Sequence, residues 1–505
     1  MTRPLLDPAG IDRFRAALAD FTVEGVHEFL GLTGESALRR ADLTGVHRCA
    51  IASPGRLATL IRLFLLGDDV DEPVARAALA PLDLAEAVAA GLVSTSAGAV
   101  RARLDVRPYT EAGDGVTSSW WVVSDFGSDV RPGPLAADHV LGIGPAALTL
   151  AQATIREPVG RALDVGTGCG VQALHLARHA AAVTATDISP RALTLAATTA
   201  ALSGVRWDLR RGSLLEPVHG ELFDQIVANP PYVVSPGRSG SSGGYDYRDS
   251  GFAGDAVSRL LVEGLPALLG PGGTAQLLAN WVITGDELWD ERLTRWMQGG
   301  GCDAWVWQRE VVEPAEYAAL WLRDAGELPG SDRYRARYDE WLDWFERSGI
   351  VGVGMGLVTL WRTDRSNPLI VCEDVPQAVE HPIGAAFPAW HVRQSWLTDN
   401  ADTALLDSVL RCADSVVRTR HDVRSAEGWR TELGTVRQIT GMRWEIETDD
   451  AVAAVIAGCD GDTPLGVLLT VLAATYGTAT DEVVAAALPV VRDLVARGFL
   501  EPVLA

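Results

Sequence analysis

Lysine is absent from this 505-residue chain, and all 43 basic side chains are arginine. We attribute this bias to the base composition of the gene and infer no chemistry from it. Basic residues are also outnumbered, since 66 acidic side chains leave a formal net charge of −23. Such a charge repels phosphate backbones at long range. This charge weighs against broad, non-specific nucleic-acid binding but permits a focused site.

Dense cysteine patterns and long apolar runs are absent as well. The six cysteines are scattered, with no pair at metal-ligand spacing, which predicts a reducing cytoplasm and no metal site. The first ten residues lack the basic and apolar regions of a signal peptide, and no apolar run approaches the ~20 residues that span a bilayer. The chain is too apolar for disorder and too long for one core, so we expect two to four folded units in the cytoplasm and no membrane partner.

Hydrophobic periodicity predicts helical ends around a central α/β region. Residues 1–108 are predicted to form a helical domain that ends like a winged helix, and residues 451–505 repeat that order of helix, glycine and strand. Residues 138–365 alternate strand and helix patterns, as expected of an open α/β sheet with helices on both faces. Residues 109–137 are interpreted as a hairpin or linker and 366–450 as a connecting segment with an Arg-rich stretch. The predicted recognition helices carry few basic residues, so packing modules are favoured over DNA-reading domains.

A glycine-rich loop follows the first strand of the α/β region. The run 164–170, DVGTGCG, ends an apolar strand, and a helix follows at once. Gly166 and Gly168 allow a tight turn and close approach to a ligand, while Gly170 allows the helix to pack on the sheet. A second strand ends at Asp187, where an acid can accept hydrogen bonds from both ribose hydroxyls. Nicotinamide enzymes share both features, and Asp187 is alternatively a cap for the next helix.

The fourth predicted strand is followed by Asn229, Pro230, Pro231 and Tyr232. The nitrogen of an amide or aryl amine is a poor nucleophile because its lone pair is delocalised, so its site needs hydrogen-bond acceptors and no positive charge. The Asn229 side-chain oxygen and the Pro230 carbonyl can both accept from one NH₂ group, and the prolines fix the backbone that aims them. Tyr232 can stack on a planar acceptor. Standing alone, the same four residues would indicate a turn.

These motifs resemble the class I S-adenosylmethionine-dependent methyltransferases with an NPPY motif, where they follow the first, second and fourth strands in this order. The resemblance covers about residues 138–362, under half of the chain. It implies a Rossmann-like sheet, S-adenosylmethionine as cofactor, no metal, and catalysis by Asn229, Pro230, Pro231 and Tyr232. It further implies cofactor contacts from Asp164, Gly166, Thr167, Gly168, Gly170, Asp187, Ser213, Leu214 and Asn229. Many members of this family have an acid where this chain has Ser213.

Three functions remain open at this point. The family includes protein glutamine N5-methyltransferases of release factors, adenine N6-methyltransferases, and rRNA guanine N2-methyltransferases of the "small domain" type. A glutamine amide on a release factor or ribosomal protein is favoured because the chain is acidic. An rRNA base is the alternative, with residues 411–443 as the RNA contact, since seven arginines face four acids there. A non-catalytic cofactor-binding scaffold or winged-helix regulator is disfavoured by the intact motif.

The segment after the NPPY motif is rich in glycine and serine and interleaves aromatic and basic side chains. We expect it to close over the substrate as a lid. Tyr245, Tyr247 and Arg248 are therefore assigned to the acceptor site together with Tyr232. A surface loop without a role is the competing interpretation.

Two further patterns are interpreted as structural. Eleven of the sixteen tryptophans lie between Trp281 and Trp396, where core packing is favoured over a platform for stacking bases. His175 and His179 are four residues apart, a spacing that can bind a metal. No third ligand is evident, so both are treated as ordinary helix residues.

Overall fold

A computed structural model describes residues 2–40, 42–113, 116–133, 135–237, 252–426 and 428–503. The chain divides into two compact units: Met1–Ala151 with Glu157–Val375 (unit 1), and Gln152–Arg156 with Pro376–Ala505 (unit 2). Tyr245, Tyr247 and Arg248 of the expected lid lie outside the described residues. Within the described ranges, no helix is both long and apolar enough to cross a bilayer.

Helices predominate in the first hundred residues of unit 1. The elements are α1 (Pro8–Ala17), α2 (Val23–Arg39), α3 (Leu43–Ala52), α4 (Arg56–Phe64), β1 (Asp69–Asp71), α5 (Glu72–Leu79), α6 (Leu84–Ala89), β2 (Val93–Ser96) and β3 (Ala99–Ala102). Asp7 caps α1 by accepting a hydrogen bond from the Gly10 amide at 2.7 Å. Strands β1, β3 and β2 pair antiparallel in that order. The buried rings of Phe14, Phe21 and Phe64 pack together between α1 and α4.

A long antiparallel hairpin follows this helical region. It consists of β4 (Asp105–Gly113) and β5 (Val116–Ser124), with Asp105 opposite Ser124 in the register. Helix α7 (Pro145–Ala153) leads from the hairpin to the central sheet. The hairpin therefore precedes the first strand of that sheet in the chain, with α7 between them.

The described part of unit 1 centres on an eight-stranded sheet. Its elements are β6 (Val159–Val165), α8 (Val171–Leu176), β7 (Ala180–Asp187), α9 (Pro190–Ser203), β8 (Asp208–Arg211), β9 (Phe223–Ala228), α10 (Ala256–Gly264), β10 (Leu269–Thr284), α11 (Trp289–Met297), β11 (Cys302–Val312), α12 (Pro314–Asp324), α13 (Asp332–Arg347), β12 (Ile350–Arg362) and β13 (Ile370–Asp374). The order across the sheet is β13-β11-β12-β10-β9-β6-β7-β8. Strands β6 to β10 are parallel, and β12 is antiparallel to both of its neighbours. The Rossmann-like sheet predicted from the sequence is confirmed.

The strand order creates a crevice between β6 and β9. The chain runs outward from β6 through β7 to β8 and then returns to β9 on the other side of β6. Ligands of open α/β sheets bind at such a switch point, outside the carboxyl ends of the strands. The glycine-rich loop follows β6 and the NPPY motif follows β9, so this topology brings them to the same crevice.

The N-terminal helices pack on α9 of the central sheet. The Leu5 amide donates to Thr198 Oγ1 at 3.0 Å, and Arg15 Nε donates to the Leu202 carbonyl at 3.0 Å. One cluster of buried apolar side chains runs continuously from Phe14 to Leu202. The helical region and the helices α8 and α9 beside the sheet therefore share one core within unit 1.

Tryptophan side chains fill the far half of the sheet. Trp281, Trp305 and Trp307 are each at most 3% exposed, which confirms core packing for these residues. Gly354 and Gly356 on β12 make room for them. A Cβ at Gly356 would collide with the Trp307 carbonyl oxygen and would lie 2.6 Å from the Trp281 ring.

Unit 2 combines helices with two three-stranded sheets in its described part. The elements are α14 (Ala386–Asp399), α15 (Asp402–Asp407), β14 (Val409–Cys412), β15 (Val416–Ser425), β16 (Gly428–Gln438), β17 (Glu445–Thr448), α16 (Asp450–Gly458), β18 (Asp460–Pro464), α17 (Leu465–Tyr476), α18 (Thr480–Arg497) and β19 (Leu500–Pro502). The strand orders are β18-β14-β19 and β15-β16-β17. Leu410, Leu469, Val491 and Phe499 are buried in its core.

The substitution Gly356→Ala should lower the free energy of unfolding by about 1–3 kcal/mol, because overpacking a filled core costs about that much. The added methyl meets a backbone carbonyl and a buried ring, neither of which has space to move. Urea unfolding measures the change. Val351→Ala, on the same strand but 60% exposed, is the matched control and should shift stability by about 0.5 kcal/mol or less. Equal losses in the two variants would contradict this packing.

Candidate functional site

The glycine-rich loop turns sharply between β6 and α8. Gly166, Gly168 and Gly170 have φ angles of +74°, +55° and +93°, which residues with side chains rarely adopt. A Cβ at Gly170 would also lie 2.6 Å from the Trp207 ring. The amides of Gly166 and Thr167 both donate to the Thr186 carbonyl at 2.9 Å, which ties the loop to β7. The loop is thus fixed in a shape that depends on glycine.

Asp164 holds this loop from the inside. Its carboxylate is fully buried, and Oδ2 accepts hydrogen bonds from Thr167 Oγ1 at 2.6 Å and from the Ala173 amide at 3.1 Å. Oδ1 has no hydrogen-bond partner among the described residues. Burial raises the pKa of Asp164 to about 7. The carboxyl group connects the loop to the first turn of α8.

Asp187 contacts the loop from the end of β7. Its Oδ2 accepts from the Gly168 amide at 2.9 Å and its Oδ1 from the Ser189 amide at 2.8 Å. Helix α9 is capped by Ser189, whose hydroxyl oxygen accepts from the Ala192 amide at 3.3 Å. The alternative that Asp187 caps this helix is therefore wrong. The half-buried carboxylate lies at the rim of the crevice.

A cavity of about 870 Å³ occupies the crevice at the switch point. That volume lies within the range of ligand pockets. Most of the residues that the sequence assigned to a cofactor or to catalysis line it: Gly166, Thr167, Gly168, Asp187, Ser213, Leu214, Asn229, Pro230, Pro231 and Tyr232. Asp164 and Gly170 lie behind the lining, so for them direct contact with a cofactor stays a prediction.

The NPPY motif turns as soon as it leaves β9. The Tyr232 amide donates to the Pro230 carbonyl at 2.8 Å, and that oxygen keeps a second lone pair. A Cβ at Gly166 would lie 3.8 Å from the Asn229 carbonyl oxygen, so the motif and the glycine-rich loop are in close contact. Asn229 is half-buried at the boundary between them.

Helix α12 forms one wall of the cavity, a contribution that the sequence analysis missed. Leu320, Trp321 and Asp324 line the cavity from this helix. The Trp321 ring meets the Tyr232 ring edge-on, with 6.1 Å between centroids. Burial and the charge of Asp324 raise the pKa of Tyr232 to about 12, so its phenol stays protonated at physiological pH. The signal in the sequence was the spacing of one helical face after a Glu-Pro helix start.

The same helix anchors the chain just after the NPPY motif. The Tyr317 hydroxyl accepts a hydrogen bond from the Val234 amide at 2.9 Å and another from Asn280 Nδ2 at 2.8 Å. Tyr317 is fully buried. The segment that leaves the motif is therefore held against α12 and β10.

A second part of the lining comes from the β4–β5 hairpin and the residues that follow it, and this contribution was also missed. Asp105, Arg107, Asp125 and His139 line the cavity. Arg107 Nη2 donates to Asp105 Oδ2 at 3.0 Å, while Asp105 Oδ1 has no partner among the described residues. Asp105 is 6% exposed, and burial raises its pKa to about 6 against the opposing effect of Arg107. Nothing in the local sequence marks this pair, which precedes the glycine-rich loop by about sixty residues.

One of the two histidines noted in the sequence fastens the hairpin to α8, and the other, which lies just after that helix, contacts β9. His175 Nε2 lies 2.8 Å from the Tyr109 hydroxyl, and its ring also meets Trp120 edge-on. His179 Nε2 lies 2.6 Å from Gln225 Oε1. Across the described part of the chain, no three His, Cys, Asp or Glu side chains are grouped to hold a metal ion. Both histidines serve packing and hydrogen bonding.

In a comparison with known protein families, residues 142–239 match the family described as Methyltransferase small domain. Residues 18–103 and 388–502 match domains of unknown function, DUF7059 and DUF7782. The chain is 44% identical over 124 residues to release factor glutamine methyltransferase from Deinococcus radiodurans, covering 23% of this chain and 44% of that one. It is 33% identical over 121 residues to ribosomal RNA small subunit methyltransferase C from Alcanivorax borkumensis, covering 24% and 32%.

The chain spans less than half the length of these curated relatives. A solved 16S rRNA N2 G1207 methyltransferase from T. thermophilus, in complex with AdoMet and guanosine, is 19% identical with a TM-score of 0.25, covering 40% of this chain and 52% of that one. That score is too low to support an argument. The fold assignment rests on the strand order and on the family match.

The pH dependence of stability should report the burial of Asp164. Its pKa is about 7 in the folded chain and about 3.9 in an unfolded one, so the folded chain binds more protons between these values. The contribution of this group to stability therefore falls as pH rises from about 4 to 7. Asp164→Asn keeps an acceptor for Thr167 and Ala173 and should remove that slope. Urea unfolding at pH 5 and pH 8 compares the two proteins, and the same pH dependence in both would contradict the assignment.

Proposed function

We propose that this chain is an S-adenosylmethionine-dependent N-methyltransferase that acts on the amide nitrogen of a protein glutamine. The proposal depends on one observation: the glycine-rich loop and the NPPY motif are in contact and line the same cavity. The family match over residues 142–239 and the 44% identity to a release factor glutamine methyltransferase support it. The second candidate acceptor is an exocyclic amine of an rRNA base. The identity to ribosomal RNA small subunit methyltransferase C favours that alternative.

The residues of the cavity fit S-adenosylmethionine by charge. Asp187 lines the cavity, and its carboxylate can accept hydrogen bonds from the ribose hydroxyls. Among the described residues, Asp105 Oδ1 is a buried oxygen without a hydrogen-bond partner, which suits the α-ammonium group. Arg107 lies two residues along the same face of β4 and suits the α-carboxylate. An unsatisfied buried acceptor costs about 1–3 kcal/mol, and a bound ammonium would remove that cost.

The motif orients the acceptor nitrogen. Asn229 Oδ1 and the Pro230 carbonyl accept the two N–H groups of the amide, which leaves the nitrogen's π density facing the methyl group. The bound cofactor supplies an electrophilic methyl on a sulfonium. The nitrogen bonds to the methyl carbon as the carbon–sulfur bond breaks, and one N–H proton leaves to water. Tyr232 is protonated and serves as a wall, so orientation by preorganised acceptors is the main contribution of the chain.

The charge of the lining supports a protein acceptor. Among the described residues that line the cavity, the carboxylates are Asp105, Asp125, Asp129, Asp187, Glu310 and Asp324. Arg107 is the one arginine in the same described lining, and burial lowers the pKa of His139. This field repels a phosphate-rich strand at the cavity and favours a neutral amide or a cationic peptide segment.

The variant Asn229→Ala should cut methyl transfer by about 100-fold or more while affinity for the cofactor stays nearly unchanged, since the lost contact acts in the transition state. Transfer of labelled methyl from S-adenosylmethionine into a bacterial lysate measures turnover, and calorimetry with S-adenosylhomocysteine measures affinity. Asn229→Asp keeps an acceptor oxygen but adds a charge that must be desolvated, so it should also lose turnover. Wild-type turnover in Asn229→Ala would contradict the proposed catalytic role and indicate that the motif is a structural turn.

The same labelled lysate distinguishes the two acceptors. Label that is released by protease and survives ribonuclease supports the glutamine amide. Label released by ribonuclease would instead support an rRNA base as the acceptor. If the native chain transferred no label into the lysate, methyl transfer itself would be contradicted.

Asp105→Asn should weaken S-adenosylhomocysteine binding about tenfold or more, because a charge-assisted hydrogen bond to the ammonium is lost. Binding of 5′-methylthioadenosine, which lacks the amino-acid end, should not change. Calorimetry with both ligands separates these effects. Asp129→Asn, at an exposed position of the same cavity, is the matched control and should leave both affinities close to wild type. Equal weakening of both ligands by Asp105→Asn would show a structural role instead.

A further inference from the structure

The hairpin formed by β15 and β16 extends beyond the sheet that carries it. The two strands pair from Val416 opposite Gln438 to Ser425 opposite Gly428, whereas β17 pairs only with residues 434–437. The outer part, from His421 to the turn, is therefore a two-stranded ribbon about 14 Å long. Its residues are exposed on both faces, so the core of unit 2 does not determine which side chains it carries.

Arginine is concentrated in this hairpin. Residues 376–505 contain ten arginines and eighteen acidic residues. Five of those arginines fall within residues 416–438, where they outnumber three acids. The remainder of residues 376–505 contains fifteen acidic residues and five arginines. The screening length at physiological salt is about 8 Å, so charges near β17 are largely screened at Arg424, near the turn end of the ribbon and about 13 Å beyond Arg420.

Three of the arginines share one face with an exposed tryptophan. Arg418, Arg420 and Arg424 are separated by even numbers of residues along β15 and point to the same side. Their spacings along the strand are about 7 Å and 13 Å. Trp429 lies directly opposite Arg424 on this face and is 72% exposed. The face therefore presents three guanidinium groups, with the Asp422 carboxylate between Arg420 and Arg424, and it ends in an exposed aromatic ring.

Arg418 and Arg420 make exposed contacts that a bound ligand can replace. Arg418 pairs with Asp450 at 3.3 Å, and both side chains are exposed, a kind of ion pair that contributes little. Arg420 Nε donates to Thr431 Oγ1 at 3.1 Å, and Thr431 donates in turn to Asp422 Oδ1 at 2.7 Å. This chain of hydrogen bonds places Arg420 over the ribbon without burying it.

We propose that this face of the β15–β16 hairpin binds single-stranded nucleic acid. The arginines contact successive phosphates, and Trp429 stacks on an unpaired base. A base must be unstacked to meet the ring, which favours a single strand over a duplex. An acidic protein segment would pair with the arginines but would have no use for an exposed indole at the end of the row. The inference concerns unit 2 and does not depend on the proposed methyl transfer.

The test is fluorescence anisotropy of a labelled 12-nucleotide single-stranded RNA titrated with the full chain at several salt concentrations. The double variant Arg420→Ala with Arg424→Ala should weaken binding about tenfold or more. It should also flatten the slope of log K against log salt by about 1.4, since each phosphate contact contributes about 0.7 for a single strand. Trp429→Ala should weaken binding about tenfold with the slope unchanged.

Arg430→Ala is the matched control, because Arg430 lies on the opposite face of the same hairpin and pairs with Glu432 at 2.7 Å. It should leave affinity and slope as in the native chain. Circular dichroism confirms that each variant is folded, as expected for exposed positions. Equal weakening by Arg430→Ala, or native binding no tighter than that of the double variant, would overturn the proposal.

Further probes distinguish the kinds of ligand that could bind this face. Equal affinity for single-stranded DNA supports recognition of phosphate and base alone, and a preference for RNA supports an RNA ligand. Tighter binding of duplex than of single strands would overturn the role of Trp429. A polyglutamate peptide that displaces the RNA, and whose own binding is insensitive to Trp429→Ala, would assign the face to an acidic protein and overturn the proposal. None of these readouts involves methyl transfer, so their failure is distinct from failure of the proposed function.

Discussion

The buried carboxyl group of Asp164 is the interaction on which the candidate site depends. It connects the Thr167 hydroxyl to the Ala173 amide and so joins the glycine-rich loop to the first turn of α8. Three glycines with positive φ would otherwise leave that loop free to sample many conformations. Because the loop touches the NPPY motif through Gly166, its shape also sets the position of Asn229. A group hidden behind the cavity thus determines the geometry of the groups that line it.

The residues that line the cavity extend beyond the segment that matches a known family. The family match covers residues 142–239, yet one wall comes from β4, before that segment, and the other from α12, after it. Both walls are fastened by specific hydrogen bonds, between Tyr109 and His175 on one side and between Tyr317 and Val234 on the other. Both walls lie outside the matched segment, so under the proposed function they are the parts of this chain that would select its acceptor.

Local patterns made the core of the site predictable from the sequence. The loop, Asp187 and the NPPY motif each directly follow a short apolar strand, and parallel strands bring such ends to one edge of a sheet. Asp105, Arg107 and Trp321 were not predictable because their roles arise from packing between segments far apart in the chain. The arginines of residues 411–443 were visible as charge, but only the strand register shows that three of them share a face with Trp429. Tyr245, Tyr247 and Arg248 remain predictions.

A crystal structure of the full chain with S-adenosylhomocysteine tests the central claim most directly. The proposed arrangement predicts the ribose at Asp187, the amino-acid end between Asp105 and Arg107, and the sulfur facing Asn229 across the cavity. Density for the ligand in another pocket, or in this cavity with its sulfur turned away from Asn229, would contradict the claim that the glycine-rich loop and the NPPY motif form one methyl-transfer site.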